Sequence, residues 1–582
     1  MCRGLRSHFL YLLVPALLCL ASTPVFALPY TPPGDTLTVI MRPILNVPTI
    51  IPRGDTLEID CAAPGSTTGW AANLICRELN VPLTNIDPQF EATLDRWKIK
   101  AMVPVSTPME LYNLSVTASG GISDVTENAV QVIDSYESDF YFIQVTDTHL
   151  VTHLYYDDPG SETDSSELVD FREVIKDVNL INPIFLVITG DFINEGELED
   201  FEYRRYFTRT QRLLTELEVP VYLLAGNHDI GGWDATPPPD GTARRDWWRF
   251  FGWPYLDSPP PGDPARTQDY SFDYGSCHFV GMESYINYDS WRSAIYGAES
   301  FTADQLTWLQ NDLAAASGSA LQILFYHRDF QSQLDLASLG VDLALWGHIH
   351  RNQGSLTGWP LDIATESVCD GERAYRLVRV SGSSITPSPT ATAGSAGGNL
   401  TISFAVPNDG TATNNSASIV NNQDERFEHA MVRFYMANDG SSYAVTNGTL
   451  LQTFVTDSVV VCHVGVDVLP YASPIVYVDA QATGVEETVP SPVVGSSSYP
   501  NPFQRTTSFR FSLSEASSGE LAVFDPQGRL VKLVARQEFP AGTNEYSWDG
   551  TDEGGKPVSA GVYLLTLTAG ESRITQKIVV LK

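Results

Sequence analysis

The stretch VPVYLLAGNHD, Val219–Asp229, is a hydrophobic strand that ends abruptly on an amide, an imidazole and a carboxylate. Its apolar part does not alternate with polar residues, as it would in a strand with one wet face. A continuous run of this kind fits a strand covered on both faces, as in α/β layers. The same texture recurs in YFIQVT (Tyr141–Thr146), PIFLVITG (Pro183–Gly190), LQILFYH (Leu321–His327) and LALW (Leu343–Trp346). Helical stretches lie between these runs: FREVIKDVNLI from Phe171, FEYRRYFTRTQRLLTEL from Phe201 and ADQLTWLQNDLAAA from Ala303. Together they predict an α/β core over residues 140–385.

Each run hands over to polar residues where it leaves the core, and open α/β sheets place their ligands at such strand ends. After YFIQV come Thr146-Asp147-Thr148-His149, and after FLVIT come Gly190-Asp191-Phe192-Ile193-Asn194-Glu195-Gly196. After VYLLA come Gly226-Asn227-His228-Asp229, after LQILFY comes His327, and after LALW come Gly347-His348-Ile349-His350. Five of the chain's 10 histidines fall in these five places, too many for strand ends that are merely hydrogen-bonded. Carboxylates, imidazoles and an amide oxygen together suit divalent or trivalent ions of borderline hardness.

This pattern resembles that of the calcineurin-like metallophosphoesterase superfamily: DxH, GDxxxxG, GNHD, a lone His and GHxH. The resemblance covers residues 140 to 385 and implies a four-layer α/β/β/α core. It implies that Asp147, His149 and His350 hold one metal, that Asn227, His327 and His348 hold the other, and that Asp191 bridges the two. The cofactor would be two metal ions, with Fe, Mn and Zn all suited to these ligands. The reaction would be hydrolysis of a phosphomonoester or phosphodiester by a metal-bound hydroxide, two nearby cations stabilising both the attacking and the leaving oxygen. His228 would bind a nonbridging phosphoryl oxygen or protonate the leaving group. Asn194, three residues after the bridging Asp, would orient His228. Purple acid phosphatases resemble this pattern but place a Tyr ligand where Asn194 stands, and they lack the His of the first motif.

Other residues near the motifs carry blander readings. His153, Asp157 and Asp158 lie in a loop-like stretch and read as exposed or packing residues. RRDWWRFFGWPY, Arg244–Tyr255, either packs a subdomain through its aromatics or walls the metal site with Arg244, Arg245 or Arg249. His278, His429 and His463 stand in β-like runs without partner spacing and read as structural or surface residues. Asp229 reads as a turn residue or one that supports the ligands.

The remainder of the 582 residues reads as β modules around this core. Residues 1–27 carry Arg3 and Arg6, a short apolar run and small residues ending at Ala27, the order of a secretory signal peptide. Residues 28–139 alternate in short runs and predict an N-terminal β domain. TPSPTATAGSAGG after Ile385 reads as a linker or long loop, residues 386–484 as an accessory β-sandwich, and residues 485–498 as a second linker. Residues 499–582, with YPNPF, WDG and SAGVY, resemble the immunoglobulin-like sorting domain of type IX secretion and the related flagellar-hook-capping fold. With the signal peptide, this implies a secreted or outer-surface protein that meets secretion machinery through its C-terminal domain.

Composition sets outer bounds. The formal charge is −35, and −37 once Arg3 and Arg6 are removed, which disfavours nonspecific nucleic-acid and anionic-lipid binding. No segment after the signal peptide has the 18 uninterrupted apolar residues of a membrane span. Cys61 and Cys76 stand close enough in sequence to close a small disulfide loop or to remain free, while Cys277, Cys369 and Cys462 read as buried or free. The competing functional class is a surface binding or adhesion protein with a vestigial phosphoesterase core. The complete ligand set counts against it.

Overall fold

The computed structural model describes residues 38–581 except 93–94, 151–166, 194–209, 231–246, 248–250, 252–268, 285–299, 370, 395–398, 482–492, 500, 502, 514–515, 526–528 and 570–571. The chain forms two compact units, one through Gln481 and one from Ala482.

Strands and helices of the α/β part of the first unit are numbered in chain order, α2 being the short helix Asn227–Ile230. One five-stranded sheet contains β1 (Asp139–Val145), β2 (Leu186–Thr189), β3 (Val221–Leu224), β9 (Ala374–Ser381) and β10 (Ser384–Thr392) in the order β3-β2-β1-β9-β10. Strands β1, β2 and β3 are parallel, and β9 returns antiparallel beside β1. A second sheet has the order β4 (Tyr270–Tyr274), β5 (Cys277–Met282), β6 (Leu321–Tyr326), β7 (Leu343–Trp346) and β8 (Leu361–Ala364), parallel from β5 onward. The parallel strands of both sheets therefore deliver their C-terminal ends, and the five motifs, together.

Side chains on strands point alternately to opposite faces, and here each face has its own cover. From β1, Phe140 and Phe142 join a core with Phe279, Ile323 and Phe325 of the second sheet, so the two sheets pack face to face. Tyr141, Ile143 and Val145 point the other way, onto Phe171, Val174, Ile175 and Val178 of α1 (Glu167–Ile181). That helix forms because FREVIKDVNLI puts apolar residues at i, i+3, i+4 and i+7. It stops at Asn182, which takes a left-handed φ of 56°. On the outer face of the second sheet, Val280, Met282, Leu324 and Tyr326 meet Leu309 and Leu313 of α3 (Ala303–Ala315). Thr302 starts α3 through a reciprocal capping box with Gln305.

The β modules follow the alternating patterns. Residues before 134 make a four-stranded and a five-stranded sheet around Leu57, Ile59, Trp97, Leu114 and Val130. Residues 400–481 make a four-stranded and a three-stranded sheet, whose Val432, Phe434 and Val464 share one hydrophobic core with α1. The second unit packs a three-stranded and a four-stranded sheet around Phe509, Phe511, Leu521, Trp548 and Leu565.

Four sequence readings are revised, settled or leave the described region. The stretch after Ile385 is not a linker: Ser384–Thr392 is a strand on the edge of the first sheet. Pro387 and Pro389 are compatible with a strand there, because an edge leaves one row of backbone groups without ladder partners. Of residues 485–498, Val493–Tyr499 begins a strand rather than continuing a linker. Cys61 and Cys76 are free thiols, Cys61 buried in a sheet different from that of Cys76. The signal-peptide reading of residues 1–27 lies outside the described residues. Among the described residues, no helix is long and apolar enough to cross a membrane.

Candidate metal centre

The five motifs converge at the C-terminal ends of β1, β2, β3, β6 and β7. Asp147 is fully buried, and Thr146 Oγ1 and the His348 backbone N–H donate to its Oδ2 at 2.8 Å each. Its Oδ1 lies 3.3 Å from His350 Nε2 and 3.8 Å from His149 Nε2. His149 and His350 bring their Nε2 atoms within 3.1 Å of each other. Asp191, also buried, has Oδ2 at 3.0 Å from His327 Nε2 and 3.8 Å from His149 Nε2. His327 lies at 0% exposure, and its Nδ1–H donates to the Thr189 carbonyl at 2.8 Å, which turns Nε2 toward Asp191.

Two groups of donor atoms meet at Asp191. Asp191, His327 and His348 each offer one atom within 4.8 Å of the others, and so do Asp191, His149 and His228. A third group joins His149 and His350 to Cys369. Asn227 opens the short helix Asn227–Ile230 and is 2% exposed, yet neither its Oδ1 nor its Nδ2 makes a hydrogen bond among the described residues. A buried amide in that condition costs about 1–3 kcal/mol. A cation accepted by Oδ1 relieves that cost, so the residues present fit a metal pair.

The backbone around the donors is strained and tightly packed. Asp147, His149, Asp191, His348 and His350 all have positive φ, between 44° and 73°. Each such residue costs roughly 1–2 kcal/mol, and strain of this sort persists where the surroundings enforce it. Two glycines are sterically required. A Cβ on Gly226 would lie 2.2 Å from both N and Oδ1 of Asp191, and a Cβ on Gly347 would lie 1.8 Å from Thr146 Oγ1.

Electrostatics follow from imidazoles crowded around two buried carboxylates. Burial alone would raise Asp191, but His327 and His228 outweigh it and hold the carboxyl below its usual range. Asp147 is likewise held well below despite burial, through His149 and His350. Burial would lower His327, yet the Asp191 carboxylate carries it up to about 9. His348 is pushed down to about 3 by burial and by His327. Carboxylates that stay ionised at such depth are suited to cations.

Asp229, the residue with the weakest sequence reading, has a clear structural role. Its carboxylate accepts the backbone N–H groups of Gly226 at 2.7 Å, Ile193 at 2.8 Å and Phe192 at 3.1 Å. It thereby ties the loop after β3 to the loop after β2. Burial and the neighbouring Asp191 raise it to about 7 against those three bonds. The His228 backbone N–H donates to Asp191 Oδ1 at 2.9 Å, and the His228 ring stands edge-on to His149 with centroids 4.7 Å apart.

Some sequence candidates lie elsewhere. Asn194, His153, Asp157, Asp158, Arg244, Arg245 and Arg249 fall outside the described residues. Within the Arg244–Tyr255 stretch, Trp247 and Phe251 are buried and pack on each other at 4.5 Å, which is the packing reading for those two. His278 lies away from the donors, between Asp273 at 2.7 Å and Asp312 at 2.8 Å, and buried His463 contacts Glu110. Arg328, after the lone His327, lies over the Trp346 ring. Sequence reading missed Cys369, whose Sγ is 3.7 Å from His350 Nδ1 and whose N–H donates to the Asp147 carbonyl. A lone cysteine 19 positions after its partner histidine gives no local signal.

Residues 140–352 match the family model of the calcineurin-like phosphoesterases, and residues 498–572 match that of the FlgD Ig-like domain. Over 168 residues the chain is 26% identical to purple acid phosphatase 15 of Arabidopsis thaliana, covering 26% of this chain and 28% of that relative's length. A purple acid phosphatase from yellow lupin (Lupinus luteus) seeds superposes at 12% identity with a TM-score of 0.35, over 63% of this chain and 70% of that one. A dimetal phosphatase from Danio rerio superposes at 15% identity with a TM-score of 0.31, over 44% of this chain and all of that one. The stretch that supplies the seven sequence-predicted ligands thus matches the calcineurin-like phosphoesterases, and Cys369 lies beyond the matched residues.

Proposed function

We propose that the chain is an exported phosphoesterase that hydrolyses phosphomonoesters or phosphodiesters at a dinuclear metal centre. The observation that carries this reading is the position of Asp191, which belongs at once to the His149 and the His327–His348 donor groups. A carboxylate shared in that way is what two adjacent cations require. Asp147, His149 and His350 would hold one ion, Asn227, His327 and His348 would hold the other, and Asp191 would serve both. Fe, Mn and Zn all suit these ligands. Such a pair supplies Lewis acidity and an ionised water at neutral pH.

The protein's own groups do the rest. Asn227 contributes a neutral oxygen, so the donor set does not add a third negative charge against an anionic substrate. His228 contacts the phosphoryl group and gives a proton to the departing oxygen, with Asn194 orienting its ring. Asp229 holds the Asn227–His228 turn against Asp191 through its three backbone bonds. Packing of helix on sheet, sheet on sheet and sheet on helix supports a four-layer α/β/β/α core.

The N-terminal 27 residues act as a signal peptide, and the C-terminal β unit directs the chain to secretion machinery and the cell exterior. The match of residues 498–572 to the FlgD Ig-like family and the charge pattern of residues 1–27 support that part. The functional test is metal analysis of the purified full chain with turnover of p-nitrophenyl phosphate and bis-p-nitrophenyl phosphate. Two bound metals and hydrolysis of either ester are expected. A chain with no metal and no turnover would instead be a binding protein.

A further inference from the structure

A buried chain of hydrogen bonds runs beneath the candidate metal centre and joins the two sheets. It starts at Thr189, the last residue of β2, whose carbonyl holds His327 and whose hydroxyl accepts from Gln144 Nε2 at 2.9 Å. Gln144, on β1 and at 0% exposure, also donates to the carbonyl of Trp346, the last residue of β7, at 3.2 Å. Its Oε1 accepts the Thr365 hydroxyl at 2.5 Å. Thr365 Oγ1 in turn accepts Arg376 Nε at 2.9 Å. Arg376, on β9, sends its remaining donors to the Ser388 carbonyl of β10 at 2.5 Å and to Asn352 Oδ1 at 2.6 Å. Asn352 follows His350 by two residues and fixes its own amide on Thr390 Oγ1 at 2.7 Å and Glu366 Oε2 at 3.1 Å.

Arg376 is the unusual member. It is 2% exposed, yet every acceptor it uses is neutral. Burial pulls its guanidinium down to about 10. Among the described residues no carboxylate hydrogen-bonds to it, the Glu366 carboxylate acting on it only through space, and keeping a charged group inside in this way is costly. A planar fork holds four acceptors, the Thr365 hydroxyl, the Ala364 and Ser388 carbonyls and Asn352 Oδ1, from three different segments, which a lysine cannot do. Those segments carry or flank the ligands: Thr365 connects through Gln144 to the strand ends before Asp191 and His348, and Asn352 terminates the loop that carries His350.

We propose that Arg376, acting through Asn352 and the Thr365–Gln144 pair, is a positioning residue that sets the geometry of the metal-binding loops. The inference rests on the metal reading of the site. Groups bonded directly to metal ligands typically change metal affinity about 10- to 100-fold, and Arg376, one step further out, is expected at the lower end of that range.

The test is calorimetric titration of Zn²⁺ and Mn²⁺ into EDTA-stripped full-length wild type, Arg376→Lys, Asn352→Ala and the double variant. Apo-protein melting is recorded alongside. Asn352 is exposed, so Asn352→Ala keeps the fold and carries the test if Arg376→Lys fails to fold. Two equivalents on the wild type are expected, with at least one about 10-fold weaker in each single variant. The double variant should bind no more weakly than the weaker single variant, because the Arg376–Asn352 bond is one of the two routes that Arg376→Lys already disturbs. Two equivalents of unchanged affinity in Asn352→Ala, or losses that add in the double variant, would overturn the role of Arg376. A wild type that binds no metal would overturn the metal reading itself and the inference with it.

Discussion

The backbone N–H of His228 donates to Asp191 Oδ1 at 2.9 Å, so the proposed acid and the proposed shared carboxylate are fixed to each other by the chain itself. The same close approach to Asp191 explains the glycine at position 226, just before Asn227 and His228. A methyl at position 226 would lie 2.2 Å from Asp191 N and Oδ1. Gly226→Ala is therefore expected to destabilise the domain by about 1–3 kcal/mol, the usual cost of overpacking. It should also abolish metal binding, measured by thermal melting and metal analysis. A variant with normal metal content would show that the loop has room to yield.

Asp229→Asn preserves volume and removes one acceptor. The wild-type carboxylate takes two N–H groups on Oδ2 and one on Oδ1, and an amide group must turn its NH₂ toward at least one of those donors. A loss of about 1–3 kcal/mol in stability is expected from the unsatisfied buried groups. Catalytic rate should fall with it, because the Asn227–His228 turn is no longer tied to the loop after β2. Chemical denaturation and steady-state kinetics of the same sample check both effects.

His278 offers a stability test remote from the metals. Each ring nitrogen faces a carboxylate, at 2.7 Å and 2.8 Å, so both must carry protons to make both bonds. Burial alone would lower His278, but Asp273 and Asp312 raise it to about 9, above the ordinary value of about 6.5. A raised histidine stabilises the fold fully below its unfolded value, and the contribution disappears as pH climbs through the folded one. His278→Gln should thus cost roughly 1–2 kcal/mol at pH 6, allowing for solvent screening of exposed Asp273. The difference should vanish near pH 9.5. A gap that widens with rising pH would contradict the assignment.

Colour separates this chain from purple acid phosphatases. Position 194, three residues after Asp191, is Asn rather than Tyr. Iron-loaded protein is expected to lack a tyrosinate-to-iron band in its visible absorption spectrum, and the appearance of such a band would require another tyrosine at the metals.

Much of the site was legible because its donors sit at the ends of strands that are locally recognisable. Asp147, Asp191, Asn227, His327 and His348 each follow an apolar run directly, and parallel pairing brings those ends together without further information. What sequence did not reveal depends on contacts between distant segments. Cys369 reaches His350 only because residues 367–369 return alongside Thr146 and Asp147, where Val368 N and Cys369 N donate to their carbonyls. Gln144 is a single polar residue in an apolar run, and its meaning appears only when Thr365 arrives from the other sheet. Ser384–Thr392 looked like a linker because prolines and threonines dominate it, and it became a strand through pairing with β9. His278 lacked visible partners because Asp312 belongs to α3, 34 residues away.

The proposed centre depends on Asp191 being offered to two metal ions at once. Its most direct test compares wild type and Asp191→Ala for bound metal per folded chain and for p-nitrophenyl phosphate turnover, with His228→Ala as the control. Two metals and turnover are expected in the wild type, loss of metal and activity in Asp191→Ala, and retained metal with a lower rate in His228→Ala. Full metal content and normal turnover in Asp191→Ala would contradict it.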